Sequence, residues 1–585
     1  MCGLAGTFSY ADQAPPVDQT ELIRMREHMI KRGPDGTGLY ISPDQRLGLA
    51  FRRLAIIDLS SNADQPMASQ CGRYQVVFNG EIYNYRELRQ ELQSQGAIFR
   101  TQSDTEVLLA SYIRYGLAMC SHLRGMFAFA IWDEQEKSLF LARDPFGIKP
   151  LYIHDDGKSI RFASQVKALL AGGGIEKTIN ADAEYEYWIW GHVPEPLTLY
   201  QGVNAFEPGT WQLVQRGGKS EAGTFDTIER MLKGESERRT EYPSLRDALL
   251  DSVQHHLVSD VPVGLFLSAG IDSATLCGLA SEVTPRLKTI TLGFEEYKGT
   301  GSDETQLAQQ VAKLYGTEHK TVWISRSDFE GAYEQFMQDM DQPTIDGLNT
   351  WLVAREASKL GLKVAISGMG GDEFFGGYPS FKQLPKIRRI TKPFERIPGL
   401  GKMVRKVAAP LIKPFANQKY AGILEYGATW QGAYMLRRAM RMPWEVGDRT
   451  MNYTVNSCPE FRVQQATVSY LEATQYMRNQ LLRDSDWASM SHSLELRLPL
   501  VDRELVTYIG QEQKRGRIRS KQDLASAAKP ALPSDISSRA KTGFTVPVID
   551  WMQKNVAAAP LANDQTANTW GLRGWQTSVL SGQRG

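Results

Sequence analysis

The chain has 585 residues, 42% hydrophobic and 23% charged, the balance of a folded protein rather than a disordered or collagen-like one. Its 67 Lys and Arg face 66 Asp and Glu, leaving +1, which argues against a polyanion-binding character for the whole chain. At roughly 150 residues per domain, the length predicts two to four domains.

No apolar run reaches the ~18 residues that cross a bilayer. The start, Met1-Cys2-Gly3-Leu4-Ala5-Gly6-Thr7-Phe8, has neither the basic region nor the apolar stretch of a secretory leader. Cys2, Cys71, Cys120, Cys277 and Cys458 are an odd set without a CxxC pair. A disulfide framework or structural zinc site is therefore not expected, and a reducing cytoplasm is the default location.

In chain order, Arg73–Phe78, Met126–Trp132 and Ser138–Ala142 are short, apolar and β-prone. Turn signals at Asn79-Gly80 and Pro145-Phe146-Gly147 bound them. The first 200 or so residues read as a two-sheet or sheet-and-helix domain. Residues 216–241 are polar and charged and read as a connecting segment. Leu245, Leu249, Val253 and Leu257 then fall at helical spacing. Val263–Leu267, Thr289–Leu292 and Val364–Ser367 read as buried strands, and Leu307, Val311 and Leu314 mark a helix ending near Gly316. Helices alternating with short buried strands predict a parallel α/β domain, whose ligands sit at the carboxyl ends of strands. Lys382–Lys413 holds ten Lys and Arg against Glu395 alone. It reads either as a solvated helical insertion or as a site for an acidic partner, a membrane surface or nucleic acid.

Cys2 is the first candidate for chemistry. Removing Met1 would give it a free α-amine, whose pKa of about 7.7–8 lets it take the thiol proton near neutral pH. Arg32-Gly33-Pro34-Asp35-Gly36, Arg53-Leu54-Ala55-Ile56-Ile57-Asp58, Asn79-Gly80-Glu81-Ile82-Tyr83-Asn84 and Ser103-Asp104-Thr105-Glu106 follow in order. Asn79 and the Gly80 amide can form an oxyanion hole. Arg53 can hold an α-carboxylate and Asp104 an α-ammonium. Together they suit a free amino acid presented to a thiolate.

With these motifs and Arg143-Asp144-Pro145-Phe146-Gly147-Ile148-Lys149-Pro150-Leu151-Tyr152, residues 1 to about 210 resemble the glutaminase domain of class II, N-terminal-nucleophile amidotransferases. The resemblance implies a four-layer αββα sandwich. It also implies attack of Cys2 on the amide of glutamine, which is bound by Arg53, Asn79, Gly80, Glu81 and Asp104.

Phe266-Leu267-Ser268-Ala269-Gly270-Ile271-Asp272-Ser273 lies between a predicted strand and a helix. Small residues there let backbone amides approach phosphate oxygens. A second loop, Ser367-Gly368-Met369-Gly370-Gly371-Asp372-Glu373, also follows a strand and adds carboxylates that suit Mg²⁺-ATP. This pair resembles the pyrophosphate-loop domain of asparagine synthetases, as do Trp190–Glu207, Leu481–Asp502 and Ser538–Pro547. The division implied is a glutaminase domain at 1–215, a linker at 216–241 and a synthetase domain at 242–585. The family activates a carboxylate, usually aspartate, as an acyl-adenylate, and ammonia from the glutaminase site attacks it. By position, Phe266, Leu267, Ser268, Gly270, Asp272, Ser273, Leu292, Ser367 and Gly368 would bind ATP. Asp272 and Asp372 would hold Mg²⁺, and Lys541 would stabilise transition-state charge.

Three positions depart from the family pattern. Ala269 takes the first glycine of SGGxDS, Met369 stands where asparagine synthetases usually carry glutamate, and Trp487 replaces the arginine of LLRxxDRxSM. All fall in the synthetase half, so another carboxylate, such as a sugar acid or natural-product intermediate, is the alternative acceptor. His255, His256, Trp188 and Trp190 read as packing residues. Nucleic acid is not an expected partner, and a homodimer is the family precedent.

Overall fold

The computed structural model describes residues 2–237, 240–397, 399–412, 418–447, 458–539, 546–547, 551 and 571–584. Strands dominate the amino-terminal part: β1 (Gly3–Ser9), β2 (Gly36–Ile41), β3 (Leu47–Arg53), β4 (Met67–Ala68), β5 (Tyr74–Ile82), β6 (Gly125–Asp133), β7 (Ser138–Arg143), β8 (Tyr152–Asp155), β9 (Ser159–Ala163), β10 (Val203–Ala205), β11 (Thr210–Gln215) and β12 (Ser220–Thr224). They form two antiparallel sheets, ordered β10-β8-β9-β1-β3-β2 and β12-β11-β7-β6-β5-β4.

Alternation along the strands builds the layers. On β6, Ala128, Ala130 and Trp132 join Leu4, Phe8, Leu49 and Phe51 between the sheets. Phe127, Phe129 and Ile131 face the other way, toward Leu88, Leu92, Val107 and Leu108 of helices Tyr85–Ser94 and Asp104–Tyr115. On the far side, Ala5 and Ala50 pack against Leu22, Met25 and Leu169 of helices Gln19–His28 and Val166–Gly172. The result is the αββα sandwich that the motifs implied.

The carboxyl-terminal part is built on a parallel sheet: β13 (Val263–Phe266), β14 (Lys288–Phe294), β15 (Glu318–Ile324), β16 (Val364–Ile366) and β17 (Glu495–Arg497), ordered β15-β14-β13-β16-β17. Every pairing is parallel. Strands β14 and β15 extend the sheet on one side of β13, and β16 and β17 on the other. The crevice at the carboxyl ends of β13 and β16 is thus a topological switch point, where such sheets bind ligands.

The segment 216–241, read from composition as a connection, is more structured than that. β12 pairs with β11 at the edge of the second sheet, and helix Ile228–Leu232 follows. An edge strand with one neighbour needs no apolar face, so its sequence, SEAGT, did not announce it.

The two parts share one core. Phe146 and Ile148 belong to the same apolar cluster as Leu265, Leu267, Phe374 and Leu500. Arg124 spans them, with Nε and Nη2 on Asp502 at 2.8 and 3.0 Å and Nη1 on Asp251 at 2.7 Å. No described helix is long and apolar enough to cross a membrane. Of the two histidines read as packing residues, His256 is one, whereas His255 belongs to a polar network. His256 is buried and lies 4.0 Å from the Tyr83 ring, while His255 sits between Arg124 and Glu87.

Candidate active sites

Cys2 immediately precedes β1 and is buried. Its backbone N–H donates to Asn79 Oδ1 at 3.0 Å, and its thiol points to the Leu54 carbonyl at 4.0 Å. Burial pushes the thiol upward, with the amino terminus, the Leu54 contact and Arg53 acting against it. Met1 lies outside the described residues. Asn79 and Gly80 sit at the middle of β5, paired with Ala128 and Phe127 of β6. A Cβ at position 80 would collide with the Met126 carbonyl, so only glycine fits there.

Arg53 ends β3, and its guanidinium is taken up by the following loop. It donates to the Ser60 carbonyl at 2.7 Å, to Asp64 at 2.8 Å and to the Asp58 carbonyl. Asp104 stands in the first turn of helix Asp104–Tyr115, accepts from the Ile82 amide at 3.0 Å, and is raised by burial to about 6. Glu81 is buried beside Glu495. The two share Arg497, with Nε 2.5 Å from Glu495 and Nη2 3.3 Å from Glu81. Burial and the neighbouring Glu495 raise Glu81 well above the usual carboxylate range. Burial opposes ionisation of Glu495 too, yet the amino terminus, Arg497 and Lys149 hold it low.

The second site is a cavity of about 580 Å³ at the switch point. Phe266, Leu267, Ser268, Gly270, Asp272, Ser273, Leu292, Ser367, Gly368 and Asp372 all line it, bringing together every described residue that the sequence assigned to ATP and metal. Lys541 lies outside the described residues. The first loop closes on itself, with the Ser268 amide donating to Ser273 Oγ at 3.1 Å and the Gly270 amide to Ser268 Oγ at 3.3 Å. Ala269 does not have a left-handed φ, so its methyl group adds no backbone strain. A Cβ at Gly371 would strike the Asp272 carboxylate, and one at Gly377 the Asp372 carboxylate. The backbone is therefore moulded around both acids.

Asp272 and Asp372 converge on one ammonium that sequence reasoning missed. Lys521 Nζ contacts Asp272 and lies 2.7 Å from Asp372. Two carboxylates around a single cationic point fit a hard cation held jointly with phosphates, which needs few protein ligands. Among the described residues, no cluster of three or more acids, histidines or cysteines offers a closed metal cage.

Of the departures from the family pattern, Ala269 and Met369 line this cavity, and Trp487 stands behind Asp484, which also lines it. Met369 Sδ accepts from Ser485 Oγ at 3.1 Å. Trp487 Nε1 donates to Asp484 Oδ1 at 3.1 Å, and Thr344 Oγ1 to Asp484 Oδ2 at 2.7 Å. Asp484 lines the cavity, and burial raises it to about 7 despite Arg483. A continuous helical run, Gln464–Leu471, π-helical Glu472–Leu482 and Arg483–Met490, delivers these groups. The same run ties the two sites together. Arg32 donates from Nε to the Cys2 carbonyl at 3.1 Å, and from Nη1 and Nη2 to Asp486 at 2.6 and 3.2 Å.

An αββα domain with cysteine at its second position, joined to a parallel sheet with two glycine- and acid-bearing loops at its switch point, defines a two-domain amidotransferase. Comparison with known sequences agrees. Residues 1–225 match the glutamine amidotransferase domain and residues 244–572 match asparagine synthase. The glutamine-hydrolysing asparagine synthetase 1 of Bacillus subtilis is 37% identical over 579 residues, covering 95% of this chain and 88% of that one. A putative asparagine synthetase of Mycobacterium bovis is 34% identical, covering 94% and 88%. The amidase chry2 of Gibberella zeae is 26% identical, covering 94% and 90%. The chain belongs to the glutamine-hydrolysing asparagine synthetase family, whose members are ATP-using amidotransferases.

Proposed function

We propose that the chain hydrolyses glutamine at Cys2 and passes the nitrogen to a carboxylate activated by ATP in the second cavity. In this reading Cys2 attacks the glutamine amide, and Asn79 with the Gly80 amide stabilises the oxyanion. Asp104 takes the α-ammonium and Arg53 the α-carboxylate, which requires Arg53 to exchange its loop contacts for substrate, and Glu81 stands beside them. The loop Ser268–Ser273 takes the pyrophosphate, and Phe266, Leu267, Leu292, Ser367 and Gly368 take adenosine. Asp272 and Asp372 would hold Mg²⁺, which neutralises phosphate charge when bound. Lys541 would offset charge on the activated acid. Asp484, raised to about 7, is poised to accept the proton that the incoming nitrogen loses. The division at 215 and 241, a cytoplasmic location and a homodimer belong to the same reading.

The observation that carries it is the meeting of Asp272 and Asp372, from separate loops, on Lys521 at the mouth of the parallel sheet. The test is Cys2→Ala with aspartate as acceptor. Glutamine-dependent synthesis should disappear and ammonia-dependent synthesis should persist. Glutamate release surviving the substitution would remove Cys2 as nucleophile.

A second reading changes the acceptor only. A cavity of about 360 Å³ adjoins the nucleotide cavity, sharing Asp346, Asn349 and Tyr476 with it, and Trp190, Tyr434 and Trp575 line its far side. With methionine at 369 in the nucleotide cavity and Arg438 of the smaller cavity bound to Glu472 at 2.8 Å, the joined space favours a carboxylate with an apolar body over aspartate. Pyrophosphate release across a carboxylate panel decides between them, and aspartate alone driving it would end the second reading.

A further inference from the structure

The basic segment Lys382–Lys413 has no part in either site. It folds into helices Ser380–Thr391 and Leu400–Ile412, with a 3-10 turn at Lys392–Phe394 between them. The second helix is anchored through Arg405. Arg405 is buried there, donating Nε to Glu425 at 2.5 Å and lying 4.5 Å over the Trp444 ring. Its outer side presents Met403, Val407 and Leu411, which are 60%, 64% and 67% exposed. Steps of four residues stack them on one helical face. Lys402 and Lys406 stand next to them and are also exposed. Ile390, Phe394 and Ile397 are exposed just upstream. Six of the fifteen large apolar side chains exposed among the described residues therefore fall between Ile390 and Leu411.

Single exposed apolar residues are ordinary, but a spaced stripe of them is not. A solvated helix has no use for it. A protein partner is the weaker match, because interface cores are depleted in lysine, and here exposed Lys392, Lys402 and Lys406 stand among the apolar groups. An anionic bilayer surface accepts both features: the stripe enters the boundary between head groups and acyl chains, while the lysines reach up to phosphate. We propose that this face docks the enzyme reversibly on membranes rich in anionic phospholipid. The helix has 13 residues, so it would lie on the surface rather than span the bilayer.

The test is co-sedimentation of the full chain with vesicles of phosphatidylglycerol and phosphatidylcholine, against vesicles of phosphatidylcholine alone. The wild type should partition onto the anionic vesicles, and added salt should weaken this. Met403→Gln/Val407→Gln/Leu411→Gln should reduce partitioning at least about tenfold. Lys402→Gln/Lys406→Gln should reduce it about tenfold as well. Both variants should keep wild-type glutaminase activity, which certifies their fold. Failure of the wild type to bind anionic vesicles would overturn the proposal, as would an apolar variant that binds like wild type. A concentration-dependent dimer that the apolar variant abolishes, without vesicle binding, would assign the face to a second copy instead.

Discussion

Lys521 pairs with both Asp272 and Asp372, the carboxylates proposed above to hold Mg²⁺, so Lys521→Met tests whether the two together take a cation. Coulomb's law at an effective dielectric constant of about 20 gives about 6 kcal/mol for the 2.7 Å contact with Asp372. Desolvation of the ions cancels much of that, and removing one member of a buried pair costs about 3–5 kcal/mol. Lys521 and Asp272 keep 17% and 16% of their side-chain surface exposed, which puts the cost at the lower end, about 3 kcal/mol. The loss arises because Asp272 and Asp372 are left facing each other without a cation. A divalent ion should fill that position and return about 2.7 kcal/mol when present at about a hundred times its dissociation constant. Thermal unfolding without nucleotide should therefore show a variant with a lowered midpoint that MgCl₂ largely restores, whereas the wild type responds little. A variant as indifferent to Mg²⁺ as wild type would refute the convergence of the two carboxylates as a cation site.

Two further substitutions probe the glutaminase side. Because burial raises Asp104 to about 6, its charged form opposes folding. Stability should fall by about 3 kcal/mol as pH rises from the ordinary aspartate value to about 6, then level off. Asp104→Asn should abolish that slope in denaturant titrations, while in the wild type KM for glutamine should drop as pH rises through about 6 and Asp104 becomes able to pair with the substrate ammonium. Asp486→Ala leaves Arg32 and Lys149 buried without their shared carboxylate, at a cost of about 3–5 kcal/mol. It should lower glutamine-dependent synthesis more than ammonia-dependent synthesis, measured as the ratio of the two rates.

Much of this architecture is legible in the sequence, because its signals are local. Apolar runs at Val263–Leu267 and Val364–Ser367 next to glycine- and acid-rich loops mark two strand ends, and the ordered motifs from Cys2 to Asp104 mark the other site. What escaped is either short, peripheral or long-range. β17 has three residues, and β15, reading EHKTVWI at a sheet edge, mixes polar and apolar positions too evenly to declare itself. Lys521 sits in an unremarkable SKQDL stretch 249 residues from Asp272, and only the fold joins them. Trp487 reads from sequence as the loss of a guanidinium, yet its indole N–H donates to Asp484. An indole N–H can donate to a carboxylate without carrying charge, which residue type alone does not announce.

Buried charges, as well as apolar packing, join the two halves. Buried ion pairs add little stability compared with apolar packing of the same volume, and this interface already has an apolar core running from Ile148 and Phe146 to Leu500 and Phe374. Even so, Arg32 reaches from the Cys2 carbonyl to Asp486, and fully buried Arg497 of β17 stands between Glu495 and Glu81. Each pairing joins the surroundings of Cys2 to an element that also frames the cavity at the switch point: the helix bearing Asp484 and Ser485, or the strand beside β16. Apolar side chains would tolerate a small slip between the domains, whereas a bidentate guanidinium does not. These pairs therefore fix register. In the proposed reaction nitrogen released at one site must enter the other without escaping, so register between the sites is the property that stability alone would not preserve.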